Sequence, residues 1–375
     1  MISTRILSTG KVRLSIVYAF FFTLFSFSTS LSAQNHQGDT TSSTVNTEAQ
    51  IPGVEKVEHK TEEGKFDPTA VIMEHIADSH YWHLWGETSF PLPIILISDK
   101  GVDLFSSSKF HHGESAYQGN HYTYKLIEDQ IFAVDATGVV DKEASSHVYD
   151  FSITKNIASI WISIAILLLI FTSVSSAYKK RVGKAPKGFQ SLIEPIIMFV
   201  RDDIAIPNIG YKYARFMPLL LTLFFFIWIN NLLGLLPIFP GGANVTGNIF
   251  MTFLLSFIVL VVVNTSGNKY YWKHILLPDV PWWLYPIMIP VEIIGVVSKP
   301  FALMIRLYAN ISAGHIIVLS LISLIFIFKS IAIAPVSVAF VLFMDVLELL
   351  VGFLQAFIFT MLTALFIGTA VQEHH

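Results

Sequence analysis

The chain contains no cysteine, which excludes a disulfide framework, a thiolate metal site and a thiol nucleophile. Charged residues are also scarce, 14% of 375, and the formal net charge is −3. Without a basic excess, the composition argues against a nucleic-acid-binding protein. Apolar residues make up 53% of the chain, and the mean hydropathy is +0.60. Such a composition is atypical of soluble domains and predicts an integral membrane protein.

The N-terminus has the pattern of a targeting sequence. Basic residues precede an apolar run over residues 14–27, and small residues follow over 30–33, which predicts a cleaved signal peptide at 1–33. The alternative is a retained first span, although the run is shorter than the roughly 20 residues that cross a bilayer. In both cases the next segment is delivered to the far side of the membrane.

Residues 34–65 are polar and are predicted to be disordered, whereas residues 66–150 resemble a small folded domain. Ile94 to Ile97 and Val102 to Phe105 are short β-branched or aromatic runs, and Asp99-Lys100-Gly101 between them is a turn signal. This pattern predicts a small periplasmic domain of strands and hairpins. Its histidines have no clear metal-ligand spacing, so we expect surface histidines and no bound metal. They are His75, His80, His83, His111 and His112.

Residues 151–375 form the predicted membrane domain. Residues 157–177, 216–236 and 249–263 are apolar spans, and residues 189–200 are expected to lie along the interface. The densest cationic loop, residues 179–187, follows the first span and is therefore predicted to be cytoplasmic. Loop 240–246 has no Lys or Arg, whereas loop 268–281 has two Lys, so these loops agree with an outer N-terminal domain.

The last two apolar blocks, residues 286–328 and 331–371, are each about 40 residues long. As continuous helices they would measure about 60 Å, twice the hydrocarbon thickness. Neither interior contains the polar Gly/Pro/Asn loop of a tight hairpin. We therefore expect two long, strongly tilted helices. The fold class is an all-α polytopic membrane protein with about five crossings, one interfacial helix, a small N-terminal β domain and a cytoplasmic C-terminus.

Few polar residues occur in the two long blocks, and a charge near the bilayer centre costs about 3 kcal/mol or more, so these positions indicate function. Arg306 and Asn310 share a helix face, with Glu292 on roughly the same side and His315 nearly opposite. The second block has one polar stripe. The complete set is Glu292, Lys299, Arg306, Asn310 and His315 in the first block and Asp345, Glu348 and Gln355 in the second.

Each polar residue also has a structural interpretation. Arg306 could form a buried ion pair with Glu348 or Asp345, but because arginine keeps its proton it also suits a fixed positive barrier. His315 could be an ordinary core histidine, or it could relay protons with nearby carboxylates. Lys299 is predicted to snorkel to the cytoplasmic interface. Polar contacts between helices and a water path are equally compatible with Asn230, Asn231 and Asn244.

Three stretches resemble the a subunit of F-type ATP synthases, the stator partner of a rotating c-ring. The resemblance covers about residue 157 to the end, whereas the N-terminal domain is similar only to extended forms from Bacteroidetes-like bacteria. The stretches are Asn231 to Pro237 (NLLGLLP), Ser298 to His315 (SKPFALMIRLYANISAGH) and Gln355 to Phe359 (QAFIF).

The resemblance implies a non-catalytic, proton-translocating subunit of a bacterial inner-membrane complex without a cofactor. Its implied partners are c-ring proteolipids, peripheral-stalk b subunits, protons and lipid. Arg306 would face the c-ring with Asn310 and Gln355 beside it, and Glu292 would lie toward the cytoplasmic exit.

His315 and Glu348 would line the outer inlet, in the reverse order of many bacterial members. Some members have an acid where this chain has Gly234, a role that Asp345 would take. Asn231 and Asn244 are further candidates for the proton path.

Two other functions are compatible with these residues. A proton-coupled secondary transporter could use the His315, Glu348 and Arg306 cluster, but the sequence lacks the paired repeats typical of that class. A membrane anchor with internal ion pairs would not explain why the buried charges gather on two helices.

Overall fold

The computed structural model describes residues 69, 72, 76–85, 88–127, 129–135, 138–182, 184–236, 241–278, 280–328 and 333–372. The predicted signal peptide and disordered segment lie outside the described residues. The described chain forms two compact units. One contains the described residues up to Thr154 together with Ile316–Leu342, and the other contains Lys155–His315 and the described residues from Phe343 onward.

The N-terminal domain consists of small antiparallel sheets, with strand orders β1-β2, β4-β3-β8 and β5-β6-β7. A short helix α1, Lys142–Ser146, and a 3-10 helix, Ser107–Gly113, connect strands. The strands are β1 Tyr81–Trp85, β2 Thr88–Pro91, β3 Pro93–Ser98, β4 Gly101–Ser106, β5 Tyr117–Gln118, β6 Thr123–Ile127, β7 Gln130–Val134 and β8 Tyr149–Asp150.

The predicted hairpin is confirmed as β3 and β4. Ile97 pairs with Val102 across the antiparallel ladder, and the intervening turn places Gly101 at a φ of 143°, where a side chain would be strained. Because side chains alternate along a strand, Ile94 and Leu96 point to the same side, and both are fully buried. They join a core that also contains Tyr81, Phe110, Tyr124, Leu126, Ile131, Ala133 and Val148.

His80 was expected at the surface and is instead buried. Its Nε2 lies 2.9 Å from Oδ2 of Asp150, which is buried as well. Burial lowers the pKa of His80, but the hydrogen bond and charge of Asp150 raise it above its usual value. His80 is therefore a structural link between β1 and the end of the domain. Among the described residues, no group of three or more His, Asp or Glu is placed to hold a metal.

Five helical segments are long and apolar enough to cross a membrane, which confirms the predicted number. The two long C-terminal blocks are continuous helices of 44 and 38 residues, and Pro290 and Pro300 lie inside the first without ending it. The longest helices of these segments are α2 Lys155–Lys180, α5 Tyr213–Leu235, α6 Ile249–Ser266, α8 Tyr285–Phe328 and α9 Ala334–Val371. The other helices are α3 Phe189–Phe199, α4 Ile206–Ile209 and α7 Lys269–Leu276.

The segment expected along the interface is an amphipathic helical stretch. It comprises α3, a π-helical turn at Val200–Ala205 and α4, and it ends at Gly210, which has a φ of 70°. Val200 and Ile204 are fully buried, while Arg201 and Asp202 form a partly exposed ion pair of 2.7 Å. The apolar edge is thus buried within the protein and the charged edge is exposed, and the position of this segment along the membrane interface stays a prediction.

Candidate functional site

The two long helices run antiparallel. In the first half of α8, Lys299 Nζ lies 5.9 Å from the ring centroid of Phe366 near the end of α9. Further along α8, His315 Nδ1 lies 3.5 Å from Glu348 Oε1, which is nearer the start of α9. Arg306 lies between these two contacts along α8, so α8 approaches α9 on both sides of it in sequence.

The middle of α8 has a buried side and an exposed side. Leu303, Leu307 and Ile311 follow one another every four residues and are at most 2% exposed. Arg306 and Asn310 belong to the exposed side. Three exposed positions beside them are occupied by alanine. Such small side chains let a neighbouring helix approach closely. These positions are Ala302, Ala309 and Ala313.

Arg306 is not held by an acid among the residues that the structure describes. Within the described part of the chain, it makes no ion pair and no side-chain hydrogen bond. Glu348, the partner considered for it, lies against His315 instead. The geometry therefore gives no support to the ion-pair interpretation of Arg306.

Two glycines border the pair of His315 and Glu348, and one of them makes room for it. A Cβ at Gly314 would lie 2.9 Å from Cδ of Glu348, which is too close, whereas a Cβ at Gly234 would lie in ordinary contact, 3.5 Å from Nε2 of His315. The position at which some family members have an acid is thus directly beside the imidazole. Glu348 is 7% exposed, and its Oε2 has no hydrogen-bond partner among the described residues. A partly buried imidazole and a buried carboxyl in this arrangement can exchange a proton.

Gly314 supplies a direct test of this packing. The Cβ of an alanine at this position would be too close to the carboxyl end of the Glu348 side chain, which is flexible. Gly314→Ala is therefore expected to displace the Glu348 carboxyl rather than to unfold α8. We expect proton translocation to fall by roughly tenfold, in keeping with loss of a positioned proton-transfer group. The measurement is ATP-driven proton uptake by inverted vesicles.

Gly295→Ala is the matched control, because a Cβ at Gly295, on the same helix, meets nothing within 4 Å. Equal losses of proton uptake in the two variants would mean that the position of the Glu348 carboxyl does not determine the rate of proton translocation.

Asn231 holds three parts of the chain together. Its Nδ2 donates to the carbonyl oxygen of Gly352 on α9 at 3.0 Å, and its Oδ1 accepts from Thr246. Because both ends of the amide are bonded, this geometry favours polar contact between helices over a water path. Asn244 differs: its Oδ1 accepts from Gly247 N at 2.9 Å, whereas its Nδ2 is buried without a partner among the described residues.

The other predicted site residues lie at different depths along α8 and α9. Glu292 is partly buried and precedes Arg306 by fourteen residues, about 21 Å of helix. His315 follows Arg306 by nine residues, about 14 Å of helix. Arg306 therefore separates two titratable groups along α8. On α9, Gln355 is buried and Asp345 is partly buried.

One polar group was missed in the sequence. Lys155, Ser159 and Ser163 are all buried on α2, and Asn230 Nδ2 donates to Ser163 Oγ at 3.2 Å. A spacing of four between polar residues was the available signal. Serines do not interrupt an uncharged apolar run, so this spacing does not stand out in the sequence.

Comparisons with known proteins agree on the C-terminal part. The family model described as ATP synthase A chain matches residues 157–368, and a domain of unknown function (DUF8433) matches residues 71–151. ATP synthase subunit a of Chloroherpeton thalassium is 49% identical over 233 residues, 60% of this chain and 69% of the relative. ATP synthase subunit a 2 of Chlorobaculum tepidum is 48% identical over 264 residues, 68% and 74% of the two chains. ATP synthase subunit a of Myxococcus xanthus is 42% identical over 233 residues, 60% and 75% of the two chains.

Proposed function

The chain belongs to the ATP synthase A chain family, and from that membership we propose that Arg306 is the barrier between two proton half-channels that serve a c-ring. The family supports the broader role of a proton-translocating stator subunit that is not the catalytic one. The protein is a multi-pass membrane protein with five apolar helices. We propose that its N-terminal domain is periplasmic and its C-terminus cytoplasmic, in agreement with the cationic loops.

One observation carries the proposal. Arg306 lies on an exposed side of α8 among small residues, without an ion pair among the described residues, and between Glu292 and the pair of His315 and Glu348. An uncompensated charge at membrane depth is costly, so it is expected to meet an opposite charge on a partner. A rotor helix carrying a carboxylate fits this side, and Asn310 and Gln355 would border the contact.

The proposed mechanism follows from the permanent charge of arginine. A deprotonated rotor carboxylate is attracted to Arg306, whereas a protonated carboxyl has no charge and can rotate into lipid. Protons would arrive through the outer half-channel past His315, Glu348, Asp345 and Asn244, and leave past Glu292. Each proton crossing the membrane releases about 2.3 kcal/mol per 100 mV. Rotation is the only connection between the half-channels, so this energy becomes torque.

The peripheral-stalk b subunits are proposed as further partners. They would hold this chain still while the c-ring turns.

A disulfide cross-link tests the proposed partner surface. Because the natural chain has no cysteine, a single Cys can be introduced without competition from its own thiols. In Ala309→Cys the thiol would lie on the exposed side of α8. We expect it to form a disulfide, under mild oxidation, with a Cys placed one turn from the carboxylate of the co-purifying proteolipid.

Leu307→Cys is the control, since Leu307 is 1% exposed on the other side of the same helix. The product is identified by non-reducing electrophoresis and mass spectrometry. Cross-linking from position 307 but not from position 309 would place the rotor elsewhere and overturn the proposed surface.

A further inference from the structure

The first third of α2 has a buried polar side. Lys155, Ser159 and Ser163 are spaced by four residues, so they lie on one face of the helix, and they are 8%, 0% and 0% exposed. The same face continues with Leu167, which is 3% exposed and apolar. The polar part therefore ends after about 12 Å of helix, less than half of the hydrocarbon thickness.

This polar side leads to His315 along α5. Asn230 Nδ2 donates to Ser163 Oγ at 3.2 Å and to Phe226 O at 2.7 Å. Gly234 is one turn after Asn230 on α5, and a Cβ at Gly234 would be in contact with the His315 ring, 3.5 Å from Nε2. Through Asn230 and Gly234, α5 therefore connects the Ser163 end of the polar side to the His315 imidazole.

Several polar atoms in this region need a further partner. Ser159 Oγ and Asn230 Oδ1 are buried and have no hydrogen-bond partner among the described residues. The same holds for Glu348 Oε2, beyond His315. Leaving such a group unsatisfied costs about 1–3 kcal/mol, and buried water is the usual remedy. If these residues only joined helices, we would expect their polar atoms to be paired with one another.

We propose that Ser159, Ser163 and Asn230 form a third wall of the outer half-channel and hold a file of water molecules that leads to His315 and Glu348. Each water accepts a proton from its outer neighbour and donates one to the next, and a serine hydroxyl can do the same without a change of charge. Leu167 ends this file on the cytoplasmic side. The inference rests on the proposed function and extends its outer path to α2.

Thiol accessibility tests the inference in the assembled complex. Ser159→Cys and Ser163→Cys are made separately in a complex whose other subunits lack cysteine, and each is treated with Ag+ or methyl methanethiosulfonate. The readout is ATP-driven proton uptake by inverted vesicles, expressed relative to the same variant without reagent. Because a thiolate forms readily only in contact with water, we expect uptake in both variants to fall by on the order of tenfold.

Two variants serve as controls. Leu167→Cys places the thiol on the same buried face one turn further on, and Leu169→Cys places it at a position that is 69% exposed on the apolar surface. Both are expected to lose less than about a third of their uptake, because neither thiol would contact a water path. If one of the serine variants fails to assemble, Asn230→Cys takes its place.

The inference is wrong if the thiols at positions 159 and 163 react no more than the thiol at 167, because the serines would then only join helices. Such a result would leave the proposed function intact if Arg306→Ala still abolishes synthesis. Near-normal synthesis in Arg306→Ala would instead reject the proposed function, whatever the thiols do.

Discussion

Arg306→Ala is expected to abolish proton-driven ATP synthesis, a fall of at least about 100-fold, while the complex still assembles. Arg306 lies on an exposed side of α8 and forms no ion pair within the described chain, so its removal should break no internal ion pair or side-chain hydrogen bond there. In the proposed mechanism, a rotor carboxyl without the fixed charge beside it has no reason to release its proton, and the two proposed half-channels would no longer be separated. The measurement is ATP synthesis by vesicles energised with an imposed proton gradient.

Two further variants define what Arg306 supplies. Arg215→Ala removes an exposed arginine near the start of α5 and is expected to keep synthesis near the natural rate. Arg306→Lys keeps the positive charge without the planar guanidinium and should retain more activity than Arg306→Ala. If Arg306→Ala synthesises ATP at a near-normal rate, Arg306 is not the barrier.

The second large effect is expected from His315 and Glu348. Either single change, His315→Glu or Glu348→His, should lower proton translocation by roughly 100-fold, because it places two carboxyls or two imidazoles side by side. Exchanging both residues restores one imidazole and one carboxyl at the observed separation of 3.5 Å. The double variant is therefore expected to translocate protons faster than either single variant.

Proton uptake by inverted vesicles compares the three variants, with the amount of assembled complex as the reference. The prediction depends on direct contact, since coupled substitutions deviate from additivity only when the residues interact. A double variant no faster than the slower single variant would show that His315 and Glu348 act separately.

Sequence patterns were sufficient for the helices and for the hairpin. A bilayer requires long apolar helices, so hydropathy alone predicted five crossings, and the absence of internal turn signals predicted that α8 and α9 would be continuous. The turn at Asp99-Lys100 and the alternation of Ile94 and Leu96 predicted β3 and β4 for the same local reason. Helical periodicity likewise separates Arg306 from His315 around α8, because it depends only on their spacing.

Contacts between distant segments could not be predicted in this way. His80 and Asp150 are 70 residues apart, and Ser163 and Asn230 are 67 apart. A histidine or a serine can be exposed to solvent, hydrogen-bonded to another helix or in contact with water. Its residue type and its position in the sequence therefore do not reveal its hydrogen-bond partner. The buried polar side of α2 and the bonding of Asn231 became visible only from the packing.

By itself, the sequence determined the membrane class, the helical segments and the few polar positions within them, because hydrophobicity and helix periodicity are properties of neighbouring residues. The tertiary structure decided which of these polar groups pair and which do not. Packing of α5, α8 and α9 brings Gly234, His315 and Glu348 together and leaves Arg306 on the exposed side. The physical reason is that the free energy of a buried charge depends on the groups that surround it, and only the folded chain brings those groups together.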